Sequence, residues 1–265
     1  MAAAAIEFKN VGKTFAARRA GEAPVEAVRE VNVTVYDGEV VSLIGPSGCG
    51  KSTLLNMGSG LYLPTSGEVH VAGQRVTGPN PKVAFMLQKD LLLPWRSIRE
   101  NAELGLEIRG VAAAERRSRA KALLAKCHLS AFEDHYPHQL SGGMRQRAAL
   151  ARTLAVNPLV LLMDEPFSAL DAQTKMILQQ DLAQTLAAER KTALFITHDL
   201  VESIALSDRV LVMSARPGTI VEEIRVDIPD RNNPIARRRH ARVADYVARL
   251  MELLHLGDLA QAEQI

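Results

Sequence analysis

Apolar and polar residues alternate along the N-terminal part of the chain. The alternation runs through IEFKNV (6–11), VNVTVYDGEVVSLIG (31–45) and GEVHVAG (67–73), and Asp37-Gly38 places a turn signal inside the second run. A period of two residues with such a turn is typical of antiparallel strands that bury one face. Residues 16–27, AARRAGEAPVEA, lack the alternation, so we expect them to form an exposed loop.

Helical spacing replaces this alternation between about Ser97 and Gln139, where SIRENAELGLEIRG and AAERRSRAKALLAKCHL mix charged with apolar residues. Apolar runs at 159–164, 192–198 and 209–214 then alternate with helical segments near 171–189 and 199–206, and the strand-like TIVEEIRVDI (219–228) precedes a basic helical segment near 236. Strands alternating with helices indicate parallel α/β packing. The pattern therefore predicts an α/β core interrupted by a helical insertion.

Composition excludes several classes of protein. Of 265 residues, 47% are hydrophobic, and 32 basic residues nearly cancel 30 acidic ones, so no broad field attracts nucleic acid and no nucleic-acid partner is expected. No apolar run approaches the roughly 18 residues of a membrane span, and MAAAAIEFKN lacks the pattern of an export signal. Cys49 and Cys127 lack metal-ligand spacing and fit a reducing compartment. We expect a globular protein that is not exported.

The segment GPSGCGKST, Gly45 to Thr53, follows an apolar strand and precedes a helical pattern. It fits the phosphate-binding motif G-x-x-x-x-G-K-[ST] in the strand-loop-helix context that the motif requires. Gly48 and Gly50 let backbone N–H groups point at phosphate oxygens, Lys51 can reach the β- and γ-phosphates, and Ser52 can bind Mg²⁺. The alternative is a glycine-rich turn without a ligand.

Acidic residues end the next apolar run, LVLLMDEP. An aspartate at a strand end holds Mg²⁺ in P-loop enzymes, which suits Asp164 and leaves Glu165 free for the attacking water. A helix cap would explain the acidic pair equally well if the pair stood alone. His198 ends the run TALFITH, where it can contact a γ-phosphate or form a hydrogen-bonded core histidine.

These segments together resemble an ATP-binding subunit of an ABC transporter. GPSGCGKST, Gln88, LSGGMRQR, LLMDEP, SALD and His198 occur in that family's order over about residues 6–225. The resemblance implies a P-loop NTPase core of α/β class with an N-terminal antiparallel β part, a nucleotide-binding domain at 1–225 with a helical subdomain at about 97–157, and a helical extension at 226–265. It implies ATP and Mg²⁺ as cofactors.

The resemblance also carries residue roles. Phe15 resembles the aromatic residue that stacks on adenine, Glu165 the catalytic base, and His198 the γ-phosphate switch. Asp171 resembles the acid of a loop facing the opposite subunit. The ATP site would comprise Phe15, Gly45, Pro46, Ser47, Gly48, Cys49, Gly50, Lys51, Ser52 and Thr53, and the metal site would comprise Ser52, Gln88 and Asp164.

A second glycine pair occurs in LSGGMRQR, residues 140–147. Ser141, Gly142 and Gly143 precede a helical pattern with one apolar face, so the helix N-terminus can bind an anion. The resemblance implies that this anion is the phosphate of ATP held by a second copy, in a head-to-tail dimer, with Gln146 part of the same signature. The alternative is a capped helix with a solvated basic face.

QKDLLLPWRSIRENAELGLEIRG, MDEPFSALDAQT and SARPGTIVEEI resemble the importer branch for nitrate, sulfonates and taurine. That branch implies a peripheral subunit on the cytoplasmic face of the membrane, a permease dimer contacted through Gln88 to Trp95, and a periplasmic or extracellular substrate-binding protein. Trp95 can equally be a core aromatic. An exporter ATPase and a soluble P-loop ATPase or kinase remain alternatives, whereas a DNA-repair ATPase would need a long coiled coil before LSGG.

Overall fold

The computed structural model describes residues 3–254, apart from residues 18 and 20. The strands in this part of the chain are β1 Ala4–Phe15, β2 Val25–Tyr36, β3 Val40–Ile44, β4 Ser66–Val71, β5 Gln74–Arg75, β6 Val83–Met86, β7 Val160–Asp164, β8 Thr192–Ile196, β9 Arg209–Met213 and β10 Ile220–Arg225. The α-helices are α1 Lys51–Ser59, α2 Ile98–Ile108, α3 Ala113–Lys126, α4 Gly142–Ala155, α5 Ala172–Ala188, α6 Leu200–Leu206, α7 Pro234–Arg238 and α8 Val243–Leu253.

These strands form two sheets. The first sheet has the order β2-β1-β4-β5, and its pairs are antiparallel. The second has the order β10-β9-β3-β8-β7-β6, and its pairs are parallel except for β10 with β9. Strands β3, β7 and β8 are buried at every position, as expected for parallel strands covered on both faces. The predicted α/β fold with an N-terminal antiparallel part is confirmed.

The structure shortens the loop predicted at residues 16–27, because residues 25–27 belong to a strand whereas the described residues between 16 and 24 do not. β1 continues to Phe15 and β2 begins at Val25, and these two residues pair in the antiparallel register. Several register shifts between β1 and β2 disturb the alternation of inward and outward side chains. The N-terminal end of β2 therefore does not show a period of two residues in the sequence.

The short strand β6 was also missing from the sequence prediction. Its four residues, Val83–Met86, lie at the edge of the second sheet and pair only with β7 among the strands described. An edge strand of this length offers too few positions for a pattern of burial to be recognised. Its position matters because Gln88 follows it directly.

Helices α2, α3 and α4 pack on one another where helical spacing was predicted. Ser97 begins α2 with a capping box: its hydroxyl accepts from the Glu100 N–H, and the Glu100 carboxylate accepts from the Ser97 N–H at 2.8 Å. This cap satisfies two backbone donors at the helix start. The domain limits at about 97–157 and at 225 stay predictions.

The C-terminal helix α8 packs on the second sheet. Its buried Val243 and Leu250 join a core cluster with Ile44 of β3 and Ile204 of α6. The basic segment near 236 is partly internal, because Arg237 is buried and donates to the Ala205 carbonyl of α6 and to the Ser207 carbonyl just after it. Residues 255–265 of the predicted extension lie outside the described residues. No helix within the described ranges is long and apolar enough to cross a membrane.

Two glycines near β4 provide a matched test of this packing. Gly67 and Gly73 share a left-handed φ, of 74° and 73°. A Cβ at Gly67 would lie 2.1 Å from the Asn10 carbonyl oxygen, whereas a Cβ at Gly73 would have no neighbour within 4 Å. We expect Gly73→Ala to lower the free energy of unfolding by about 1–2 kcal/mol through backbone strain alone. Gly67→Ala should lose about 1–3 kcal/mol more, because β1 must move. Equal losses in denaturant unfolding would contradict this packing.

Candidate nucleotide-binding site

A glycine-rich loop connects the buried strand β3 to helix α1. Gly48 and Gly50 have φ values of 72° and 109°, which favour glycine. A Cβ on Gly50 would also lie 2.6 Å from the Ala27 carbonyl oxygen of β2. The sequence motif thus adopts a strand-loop-helix turn, and α1 directs its N-terminus, with its partial positive charge, at the loop.

Lys51, the first residue of α1, directs its side chain into this loop and is 6% exposed. Its Nζ donates to the carbonyl oxygens of Gly45 and Pro46, both at 2.8 Å, and lies 3.7 Å from the Cys49 Sγ. Cys49 is buried and belongs to the core cluster beneath the first sheet. The ammonium group is therefore held at the centre of the loop, and the thiol points away from solvent.

Two carboxylates follow one another at the end of β7. Asp164 is 5% exposed, and burial raises its pKa, while a hydrogen bond from the Ser52 hydroxyl and the charge of Lys51 act in the opposite direction. Burial raises the pKa because it penalises the charged form, and a bound cation would offset that penalty. The hydroxyl of Ser52, the carboxylate of Asp164 and the side-chain carbonyl of Gln88 are hard oxygen ligands, which fit Mg²⁺.

Glu165 has two side-chain partners from neighbouring segments. Its Oε1 lies 2.5 Å from the Nε2 of His198, which follows β8, and its Oε2 accepts from the Gln88 Nε2 at 3.2 Å. The Glu165 side chain is 16% exposed and the His198 side chain 53%. Glu165 has a φ of 50°, and its N–H donates to the Ile196 carbonyl. These contacts fix the carboxylate at the carboxyl ends of the parallel strands β7 and β8.

The loop, Glu165, His198 and Gln88 line one open cavity of about 430 Å³. Phe15 lies on its wall in edge-to-face contact with Tyr62, with ring centroids 5.6 Å apart. Val25, Ala27, Ile196 and Arg216 also line it, although the sequence did not mark these four as residues of the site. Val25 and Ala27 fell within the predicted loop, and Arg216 lies in the segment SARPGTIVEEI, whose resemblance to the importer branch gave it no role in nucleotide binding. The described lining residues are Phe15, Val25, Ala27, Ser47, Gly48, Gly50, Lys51, Ser52, Thr53, Gln88, Glu165, Ile196, His198 and Arg216.

Residues 140–147 contribute none of the described residues that line this cavity. Ser141 caps α4, its hydroxyl accepting from the Met144 N–H at 3.3 Å, and Ser141 and Gly142 are exposed. Gln146 is buried and donates to the Glu165 carbonyl of its own chain at 3.4 Å. Asp171 caps α5 through the Thr174 N–H, and hydrogen bonds from Thr174 lower the pKa of Asp171. The roles of these residues toward a second subunit stay predictions.

The glycine-rich loop follows β3, the acidic pair stands at the end of the parallel strand β7, and His198 follows β8, which lies between those two strands. This arrangement defines a P-loop ATPase of the ATP-binding-cassette class. The chain belongs to the ABC transporter family, whose family model matches residues 28–168. Its activity is ATP hydrolysis coupled to transport.

Relatives cover most of the chain. The nitrate import ATP-binding protein NrtD of Synechocystis sp. is 40% identical over 265 residues, which is 98% of each chain. An uncharacterized ABC transporter ATP-binding protein of Methanocaldococcus jannaschii is 48% identical over 204 residues, 77% of this chain and 76% of that one. A dimeric, post-hydrolysis structure of the ATP-binding cassette MJ0796 with ADP and Pi matches 84% of this chain and 99% of its own, with 34% identity and a TM-score of 0.77.

Proposed function

We propose that this chain is the ATP-hydrolysing subunit of an importer for a small anion of the nitrate, sulfonate or taurine type, which acts through a separate membrane permease. The observation that carries the chemistry is the contact of Glu165 with both His198 and Gln88 at the mouth of the glycine-rich loop. The 40% identity to a nitrate import ATP-binding protein, in an alignment that covers 98% of both chains, supports the direction of transport and the substrate class.

In this proposal the loop from Gly45 to Thr53 binds the phosphates of ATP through its backbone N–H groups and Lys51. Phe15 packs against adenine. Ser52, Asp164 and Gln88 would hold Mg²⁺, which when bound neutralises charge on the β- and γ-phosphates. Glu165 accepts a proton from the attacking water, and His198 and Gln88 hold its carboxylate in place.

The signature segment serves a second copy of the chain in this proposal. Ser141, Gly142 and Gly143 begin α4 on an exposed surface, where the helix dipole and the first backbone N–H groups favour an anion. The cavity of the same chain is lined by other segments. A head-to-tail dimer would bring the γ-phosphate of each ATP to the α4 N-terminus of the opposite subunit, with Asp171 at the contact.

The segment from Gln88 to Trp95 is the proposed contact with the permease at the cytoplasmic face of the membrane. Trp95 is 71% exposed, which excludes a core role within the chain, and Leu91 is exposed as well. Asp90 accepts from Arg145 of α4 at 3.0 Å, and Arg152 of α4 donates to the carbonyls of Asp90 and Leu91. In this proposal, these bonds transmit the motion of α4 on dimer closure to the Gln88–Trp95 segment and through it to the permease, which works with a substrate-binding protein outside the membrane.

Uptake by cells that lack this chain tests the proposal. We expect them to lose high-affinity uptake of one labelled anion among nitrate, taurine and alkylsulfonates. The wild-type chain should restore the uptake and Lys51→Ala should not, because that variant loses charge-assisted phosphate contacts worth about 1.5–3 kcal/mol each. Unchanged uptake of all these anions would contradict the substrate class, and increased retention of one of them would indicate an exporter.

A further inference from the structure

Arg216 lines the nucleotide cavity although it lies far in sequence from the glycine-rich loop. It belongs to the loop between β9 and β10, residues 214–219. Its Nε and Nη2 donate to the Gly48 carbonyl oxygen at 3.1 and 2.8 Å. The guanidinium group is thus bound to the glycine-rich loop itself while the residue stays exposed to the cavity.

Local contacts hold this arginine in place. The Ser214 hydroxyl accepts from the Thr219 N–H at 3.0 Å and closes the 214–219 loop. The Gly218 N–H donates to the Ala27 carbonyl at 3.0 Å, which joins the loop to β2. A Cβ on Gly218 would lie 2.1 Å from the Cys49 carbonyl oxygen, so the two loops are in direct backbone contact. The position of Arg216 against Gly48 therefore follows from the packing of the backbone.

Arg216 also adds a positive charge to the lining of the cavity. Of the described lining residues, Lys51 and Arg216 are the permanent cations, and Glu165 opposes them. Lys51 is 6% exposed and directs its ammonium at loop carbonyls. Arg216 presents an exposed cation, and its Nη1 donates to no group in the part of the chain that the structure describes. A guanidinium with free N–H donors is suited to phosphate oxygens, which it can bind through two parallel hydrogen bonds.

We propose that Arg216 is a nucleotide-binding residue that adds positive charge to the phosphate side of the site while it braces the Gly48 carbonyl. The proposal rests on the ATP site proposed above. It gives the 214–219 loop a role in nucleotide binding, which the resemblance of SARPGTIVEEI to the importer branch did not assign. The charge attracts the nucleotide, and the bond to Gly48 keeps the glycine-rich loop in the conformation that receives the phosphates.

Equilibrium binding of ADP to the full chain, with Mg²⁺ present, tests the inference without turnover. We expect Arg216→Ala to weaken ADP binding by about tenfold, because a charge-assisted contact is lost. Arg216→Lys, which keeps the charge, should stay within about threefold of the wild type, whereas Arg216→Gln, which can donate to Gly48 but is neutral, should resemble Arg216→Ala. Arg225→Ala removes an exposed arginine of β10 that does not line the cavity, and it should bind ADP like the wild type.

Salt dependence separates a contact with the phosphates from a role in folding. The affinity of the wild type and of Arg216→Lys should fall more steeply with added salt than that of Arg216→Ala, because salt screens the exposed charge. Wild-type affinity in Arg216→Ala, or in Arg216→Gln, would overturn the proposal while leaving the ATP site itself intact. Failure of the wild-type chain to bind ADP or ATP would instead overturn the proposed function.

Discussion

Glu165→Gln is expected to slow ATP hydrolysis by about 10²- to 10⁴-fold while ATP affinity stays close to that of the wild type. The substituted amide has nearly the shape of the carboxylate, but it cannot accept the proton of the attacking water. Glu165 is oriented for that task by His198 on one oxygen and Gln88 on the other. Phosphate release at saturating ATP gives the rate of hydrolysis, and equilibrium binding of ATP to the same preparation gives the affinity.

The control for that experiment is Glu189→Gln. Glu189 is an exposed carboxylate at the end of α5 that does not line the nucleotide cavity, so its substitution should leave both hydrolysis and binding unchanged. Loss of ATP binding by Glu165→Gln would point to a structural defect. Hydrolysis near the wild-type rate would remove Glu165 from the role of base, and another acceptor would have to be sought along the same cavity wall.

Sequence reasoning succeeded where a short segment contains its own structural signal. The buried strands Val40–Ile44 and Val160–Asp164 are largely apolar runs, and each leads directly into the residues that its motif marks. The glycine-rich loop is equally local, because its unusual backbone conformation needs glycine at defined positions. Such features do not depend on residues elsewhere in the chain, so a single sequence contains them.

It failed where the structure depends on distant neighbours. Val25 joins β2 because Phe15 lies opposite it, and nothing in AARRAGEAPVEA records that pairing. Arg216 reaches Gly48 across a separation of 168 residues through a loop packed on β2. Gln146 was assigned to the signature segment, and its contact with the Glu165 carbonyl of its own chain could not be derived from its spacing. The sequence therefore predicts the motifs, but not the residues, such as Val25 and Arg216, that complete the lining of the cavity between them.

Mixed dimers are expected to occlude ATP when one subunit carries Lys51→Ala and the other Ser141→Arg, both with Glu165→Gln to trap the nucleotide. If α4 of each subunit completes the site of its partner, one composite site collects both defects and the other has none. If α4 serves its own chain, each subunit damages its own site and nothing is occluded. Two affinity tags isolate the mixed dimer, and retained labelled ATP is counted after rapid gel filtration.

The reverse arrangement is the control, and it makes the opposite prediction. One subunit with both substitutions beside one with neither should occlude little ATP if α4 acts across the dimer, since each site then has one defect, but should keep one good site if α4 acts within its chain. Arginine at Ser141 is a severe change because it removes the cap of α4 and sets a cation at a helix N-terminus, where the dipole disfavours it. Occlusion in the control and none in the first pairing would overturn the head-to-tail dimer. Occlusion in both would mean that Ser141→Arg does not disable the signature segment, and its proposed contact with phosphate would then be wrong.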